Sequence, residues 1–222
     1  MTTGPHSPLS VFKGADTTLN CQATANPPPK SISWYRNGKI IGSGFNHTIY
    51  NVEISDAGTY TCVVNNEIQD RTDQHGKSEL QLNVLYAPIV TLPQTMIEPR
   101  ADERIEINCE VNANPKAHTV SWYKLVHGVK RLFQEGSQMI VNRIRPEDSG
   151  VYVCVAQNTL KSSESQSSQT HSSNATIEIK VKHAPENVVI LPEKPVAISG
   201  RSYTLNCRSQ PEAHPKPSYK CK

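Results

Sequence analysis

Asp56-Ala57-Gly58-Thr59-Tyr60-Thr61-Cys62 and Asp148-Ser149-Gly150-Val151-Tyr152-Val153-Cys154 are two copies of one phrase. Its tyrosine and cysteine alternate with one intervening residue, so they share one face of a strand. Aspartate and glycine ahead of them suit the tight turn that starts such a strand. Working outward, each copy is preceded by the same landmarks. Cys21 precedes Cys62, and Cys109 precedes Cys154, by long and closely similar intervals. Trp34 follows Cys21 at the same interval by which Trp122 follows Cys109. Leu19 and Ile107 stand next but one before those first cysteines, on the same inward strand face. A repeat of this kind means two copies of one structural unit.

Composition agrees with small units. The chain has 222 residues, 36 % hydrophobic and 6 % aromatic. That share suits the thin core of a β-sandwich better than the broad core of a large enzyme. The net charge of +3 comes from scattered basic residues. No Lys/Arg block is dense enough for nucleic acid or an anionic membrane. No apolar run approaches the roughly 20 residues of a membrane helix, and Met1 to Ser10 is polar, without a signal-peptide core. Taken literally, that is a cytosolic protein. The cysteines argue otherwise, because they form long-spaced pairs and no C-x-x-C redox or zinc pattern.

Cys…Trp…Asp-x-Gly-x-Tyr-x-Cys, twice over and across almost the whole chain, resembles the immunoglobulin superfamily. The resemblance implies an all-β chain of tandem immunoglobulin-like sandwiches. Cys21 would bridge to Cys62 and Cys109 to Cys154, each bridge packed against Trp34 or Trp122. Tyr60 and Tyr152 would form the corner whose hydroxyl bonds back to the chain. Closing such a loop of about 42 residues stabilises the fold by roughly 4 kcal/mol in the chain-entropy model. The interval from Trp34 to Cys62 is short, which leaves no room for the C″ strand of variable domains. The copies therefore resemble C2-type or I-set domains of cell-adhesion molecules and receptor ectodomains.

The expected domains are residues 4–85, 88–182 and a partial third at 186–222. The first two end on alternating strands, Ser78 to Val84 and Ala175 to Val181. Tyr86-Ala87-Pro88 and His183-Ala184-Pro185 are short, proline-stiffened junctions that favour an extended array. The first resembles junctions of nephrin, irregular-chiasm and Echinoid-like adhesion proteins. In the third copy, Tyr203-Thr204-Leu205-Asn206-Cys207 repeats Thr17-Thr18-Leu19-Asn20-Cys21. Cys221 follows Cys207 at about the interval where the core tryptophan belongs. The favoured reading is a truncated or mis-predicted chain end, with a poorly ordered or aggregation-prone tail; an irregular Cys207–Cys221 bridge is the alternative. The polar start fits the same picture of a fragment whose signal peptide and membrane anchor lie elsewhere.

Candidate sites follow from this frame. The sequons Asn46-His47-Thr48 and Asn174-Ala175-Thr176 mark N-glycosylation at Asn46 and Asn174. Asn26-Pro27-Pro28-Pro29, Asn114-Pro115-Lys116 and His214-Pro215-Lys216 recur at one place in each copy, which reads as a turn and not as a set of SH3 ligands. His75-Gly76-Lys77-Ser78 has Arg71 where a phosphate loop needs glycine. The eight histidines show no metal spacing, and no G-x-S-x-G elbow occurs. No cofactor, metal, catalytic residue or small-molecule substrate is expected.

With Trp34 and Tyr60 inward, alternation turns Tyr35, Thr61 and Val63 outward, and Tyr123, Val153 and Val155 are their counterparts. Exposed tyrosine beside β-branched residues is what interface cores favour. Asn65 to Lys77 and Leu160 to Asn174 read as long loops, the second serine-rich, flexible and a candidate for O-glycosylation. The leading expectation is an extracellular adhesion or recognition protein whose partner is a like or related immunoglobulin-type molecule on another cell. A secreted innate-immune binder, a receptor kinase or phosphatase ectodomain, and an intracellular titin-like array are the alternatives.

Overall fold

The computed structural model describes residues 2–4, 7–68, 71–164, 167–184, 187–191 and 206–210. The expected all-β architecture is present. Two successive β-sandwiches are followed by a short two-stranded ladder.

The first sandwich uses β1 (Thr2–Gly4), β2 (Leu9–Phe12), β3 (Thr17–Gln22), β4 (Ser31–Arg36), β5 (Lys39–Ser43), β6 (Asn46–Ile49), β7 (Gly58–Ile68) and β8 (Arg71–Thr91). One sheet has the order β1-β3-β6. The other has the order β8-β7-β4-β5, with β2 added in parallel on β8. Alternation builds the core: Thr17, Leu19 and Cys21 of β3 are buried while Thr18, Asn20 and Gln22 are exposed. They meet Ile32, Trp34, Tyr60, Cys62, Val64, Leu80 and Leu82 from the facing sheet.

The second sandwich repeats the plan with β9 (Met96–Ile97), β10 (Ile105–Asn108), β11 (Glu110–Asn114), β12 (Thr119–Val126), β13 (Val129–Glu135), β14 (Gln138–Val141), β15 (Gly150–Leu160) and β16 (Gln169–Ile179). Its large sheet has the order β13-β12-β15-β16-β9, with β9 again parallel to β16. β10 pairs with β14. Ile107, Cys109, Trp122, Met139, Tyr152, Cys154, Ile177 and Ile179 form its core.

The repeated phrase works the same way in both copies. Asp56 Oδ2 accepts from the Glu53 amide at 2.9 Å, and Asp148 Oδ2 from the Arg145 amide at 2.8 Å. Each closes a 3-10 turn, Ile54–Asp56 or Pro146–Asp148. Gly58 and Gly150 then take φ of 136° and 143°, a region that side chains with a Cβ avoid. The strand that follows sends tyrosine and cysteine inward. Tyr60 donates its hydroxyl to the Asp56 carbonyl at 3.0 Å, and Tyr152 to the Asp148 carbonyl at 2.8 Å. Cys21 is bonded to Cys62 and Cys109 to Cys154, with Cα atoms 6.3 and 6.4 Å apart. Trp34 and Trp122 are fully buried, and their indoles donate to the carbonyls of Gly44 and Ser137.

Two stretches read as loops are strands instead. β7 runs to Ile68 and β8 starts at Arg71, so Asn65 to Lys77 is largely a ribbon paired from Asn65–His75 to Ile68–Arg71. β16 begins at Gln169, which leaves only 161–168 between it and β15, with Ser165 and Gln166 outside the described residues. Asn65 to Lys77 is polar but for Ile68 and Gly76, and Gln169 to Asn174 is polar throughout. Neither carries the alternation by which strands are read. β8 also continues without interruption through Tyr86-Ala87-Pro88.

Two compact units emerge: Met1–Ile89 with Asn112–His118 and Ala156–Ser173, and Val90–Val111 with Thr119–Val155 and Asn174–Lys222. Inside the first, Asn158 is fully buried, and its amide nitrogen donates to the carbonyls of Tyr86 and Pro115, both at 2.9 Å. The Asn26–Pro27 and Asn114–Pro115 peptide bonds are cis at matching places in the two copies. In the third copy, β17 (Asn187–Leu191) pairs antiparallel with β18 (Asn206–Gln210), Ile190 opposite Cys207. Cys221, His214-Pro215-Lys216 and Tyr203 to Leu205 lie outside the described residues.

Candidate protein-binding face

The outer face of the larger sheet is set by two tight hairpins. Asn37 and Gly38, at φ 50° and 74°, form a two-residue turn that places Arg36 opposite Lys39 and Tyr35 opposite Ile40. His127 and Gly128, at φ 51° and 79°, do the same, placing Val126 opposite Val129 and Tyr123 opposite Leu132. Positive φ at both turn residues matches the twist of the flanking strands, hence the preference for Asn-Gly. In each hairpin the next step is a bulge: Trp34 pairs with Gly42, skipping Ile41, and Trp122 with Gln134, skipping Phe133. The extra residue kinks the edge strand. Phe133 packs edge-on against the Tyr152 ring at 5.1 Å.

A row of side chains therefore crosses the first sandwich: Ile40 on β5, Tyr35 on β4, Thr61 on β7 and Glu79 on β8, each opposite the next. The next row is Ser43, Ser33, Val63 and Lys77. Directly opposed residues on one sheet face bring their Cβ atoms to within about 4.5–5.5 Å, so their side chains lie side by side. Ile40 is 66 % exposed and Tyr35, Thr61 and Val63 are half-buried. Glu79 and Gln81 are exposed along β8, and the Thr59 hydroxyl donates to Gln81 Oε1 at 2.8 Å. An apolar centre with a polar margin is the anatomy of a protein interface.

The second sandwich offers Leu132, 58 % exposed, beside half-buried Tyr123. Val155 is half-buried, but Val153 is only 2 % exposed and does not present the outward surface expected of it. Its strand β15 is interior to the sheet, flanked by β12 and β16. Thr61 holds the same interior place on β7 and keeps part of its surface, so alternation sets the face and the neighbouring side chains set the cover. Ile40 and Leu132 lie outside the expected set of surface residues. Counting outward from the Asn37-Gly38 and His127-Gly128 turns would have found them.

Electrostatics lie mostly beneath this face. Arg36 Nη1 pairs with Asp56 Oδ1 at 3.3 Å, Arg36 also donates to the Ser55 carbonyl, and its guanidinium sits 5.3 Å from the Tyr60 ring centre. Lys124 Nζ lies 5.4 Å from the Tyr152 ring and donates to the Glu147 carbonyl at 2.7 Å. Burial pushes the phenols of Tyr60 and Tyr152 above their ordinary range, and that of Tyr152 far above it. His47 points inward from β6, its ring centroid 6.2 Å from Trp34 and 6.5 Å from Tyr60. Burial holds its imidazole below the usual histidine value. Among the described residues no cluster of three or more His, Cys, Asp or Glu could hold a metal, and no helix is long and apolar enough to cross a membrane. Asn46 is exposed at the start of β6, and Asn174 is exposed within β16, on a strand and not in a loop.

The profile of the immunoglobulin domain family matches residues 1–66 and 87–158. Among curated proteins, the chain is 27 % identical over 212 residues to Schwann cell myelin protein of Coturnix japonica, covering 92 % of this chain and 30 % of that protein. It is 30 % identical over 168 residues to human protein sidekick-1, covering 69 % of this chain and 8 % of that protein. The chain thus spans less than a third of these relatives. Among solved structures, Dpr2 Ig1-Ig2 in complex with DIP-Theta Ig1-Ig3 has a TM-score of 0.56 at 21 % identity, covering 79 % of this chain and 62 % of that one. The N-terminal four Ig domains of Dscam1 isoform 1.9 give 0.53 at 22 %, covering 79 % and 43 %. These structural likenesses establish the fold.

Proposed function

The chain belongs to the immunoglobulin domain family, and from that premise we propose that it is part of an extracellular recognition protein that binds other proteins through the outer face of a larger sheet. The observation that carries this reading is the cross-strand pair of tyrosine and exposed aliphatic residue, Tyr35 with Ile40 and Tyr123 with Leu132, at one place in both copies. Tyrosine supplies large contact area at low entropic cost, and apolar anchors at a patch centre carry most binding energy. Two disulfides per pair of sandwiches support an oxidising, extracellular setting. The domains run from 4 to 85, 88 to 182 and 186 to 222, and glycosylation at Asn46 and Asn174 belongs to the same reading. The partner is a like or related immunoglobulin-type chain on another cell.

The test is to couple the chain to beads and to offer it, as a soluble multimer, to cells displaying immunoglobulin-type ectodomains. Clustering of beads or staining of such cells is expected. If the chain neither clusters nor stains any of them, the reading fails.

A further inference from the structure

The two sequons lie on different kinds of face. In the first sandwich His47 and Ile49 of β6 pack inward, so Asn46 and Thr48 face out from the smaller sheet β1-β3-β6. The pairing agrees: Asn46 lies opposite exposed Asn20, and the Thr48 hydroxyl is 2.9 Å from that of Thr18. In the second sandwich Ile177 and Ile179 of β16 are buried, so exposed Asn174 and Thr176 point away from the core. On neighbouring β15 the core residues are Tyr152 and Cys154, so Val153 and Val155 share that outer face with Asn174. One sequon is therefore behind the candidate binding face of its sandwich, and the other is on it.

We propose that both asparagines carry N-glycans, and that the Asn174 glycan covers the outer face of the second sandwich's larger sheet, leaving that of the first sandwich as the bare protein-binding surface. This rests on the reading of the chain as extracellular and protein-binding. The co-reactant is a lipid-diphosphate-linked oligosaccharide. The asparagine Nδ2 bonds to the anomeric carbon of the sugar, the bond from that carbon to the diphosphate oxygen breaks, and the lipid diphosphate leaves with the electron pair. The amide nitrogen gives up one proton to base. The product is a bulky, solvated group on an exposed strand position. It stands one strand from Val155, whereas Tyr35 and Ile40 lie on the sheet opposite the one that bears Asn46.

The experiment uses the full chain made in the secretory pathway of cultured eukaryotic cells. Enzymatic deglycosylation converts an occupied asparagine to aspartate, which peptide mass spectrometry reads at Asn46 and Asn174; occupancy at both is expected. Hydroxyl-radical footprinting before and after deglycosylation then reads the shielding. Tyr123 and Leu132 should gain reactivity by about twofold once a bulky surface glycan is gone, while Tyr35 and Ile40 stay unchanged. Asn174→Gln and Thr176→Ala should each reproduce the unshielded pattern, so misfolding of one variant does not blur the result. An unmodified Asn174, unchanged Tyr123 and Leu132, or shielded Tyr35 and Ile40 would overturn the proposal. No partner is needed for these readouts, so their failure is distinct from failure of bead clustering or cell staining.

Discussion

Tyr152→Phe isolates one hydroxyl in an otherwise unchanged core. The phenylalanine ring keeps the edge contact with Phe133 and the place beneath Lys124 Nζ, and it leaves almost no cavity. What goes is the bond from the Tyr152 hydroxyl to the Asp148 carbonyl at 2.8 Å. A neutral hydrogen bond contributes about 1 kcal/mol net, and stranding its half-buried acceptor adds to that loss, so the expected destabilisation is about 1–2 kcal/mol. The carbonyl belongs to the residue whose carboxylate caps the preceding 3-10 turn. Turn and strand should therefore loosen together. Hydrogen exchange followed by mass spectrometry on the full chain measures this where it occurs: peptides spanning 146–156 should exchange about tenfold faster, the equivalent of about 1.4 kcal/mol. Peptides of the first sandwich should be unaffected. Unchanged exchange across 146–156 would refute the claim that the corner bond joins turn to strand.

His47 supplies a pH dependence at a place where the second sandwich has Met139: His47 pairs with Leu19 and Met139 with Ile107. Burial lowers its folded-state pKa, so the unfolded chain takes up the proton first. That contribution to stability is present above the ordinary value of 6.5 and is lost as pH falls through the folded value. His47→Met should flatten the acid limb of the first sandwich's urea midpoint; an unchanged limb would assign the dependence elsewhere. Gly42→Ala would set its new methyl 2.7 Å from His47 Nδ1 and should cost about 1–3 kcal/mol by overpacking. In urea unfolding the cost should shrink when His47→Ala is added. Reducing the disulfides, whose partners are separated by 41 and 45 positions, should lower stability by about 2–5 kcal/mol each, visible as an earlier urea transition in the presence of a phosphine.

The repeated phrase made the core legible because every member has a distinct physical duty: cap, positive-φ turn, corner and bridge. Tyr60 and Tyr152 are buried for that reason, and Trp34 and Trp122 are buried with the bridges. The surface was harder to read. Alternation located Tyr35 and Tyr123, but their partners Ile40 and Leu132 follow only when the register is counted from the turn. The bulges at Ile41 and Phe133 have no sequence mark. Val153 obeys the alternation yet is buried, because alternation gives the face a side chain takes and not how far its neighbours cover it. The strand pairing beyond Asn65 and ahead of Asn174 escaped notice because a segment polar at odd and even positions alike has no hydrophobic period.

The central claim is that one outer face of the first sandwich binds protein. It is tested most directly by charging the two outer faces in turn and measuring bead clustering and cell staining. Ile40→Asp with Thr61→Arg charges the larger sheet, and Asn20→Arg charges the smaller one, with folding of each variant checked by its disulfide map and urea midpoint. A loss of at least about tenfold in apparent affinity is expected for the first, the scale of a hot spot, and an almost unchanged value for Asn20→Arg. Wild-type binding by the Ile40→Asp, Thr61→Arg chain, or an equal loss from Asn20→Arg, would contradict it.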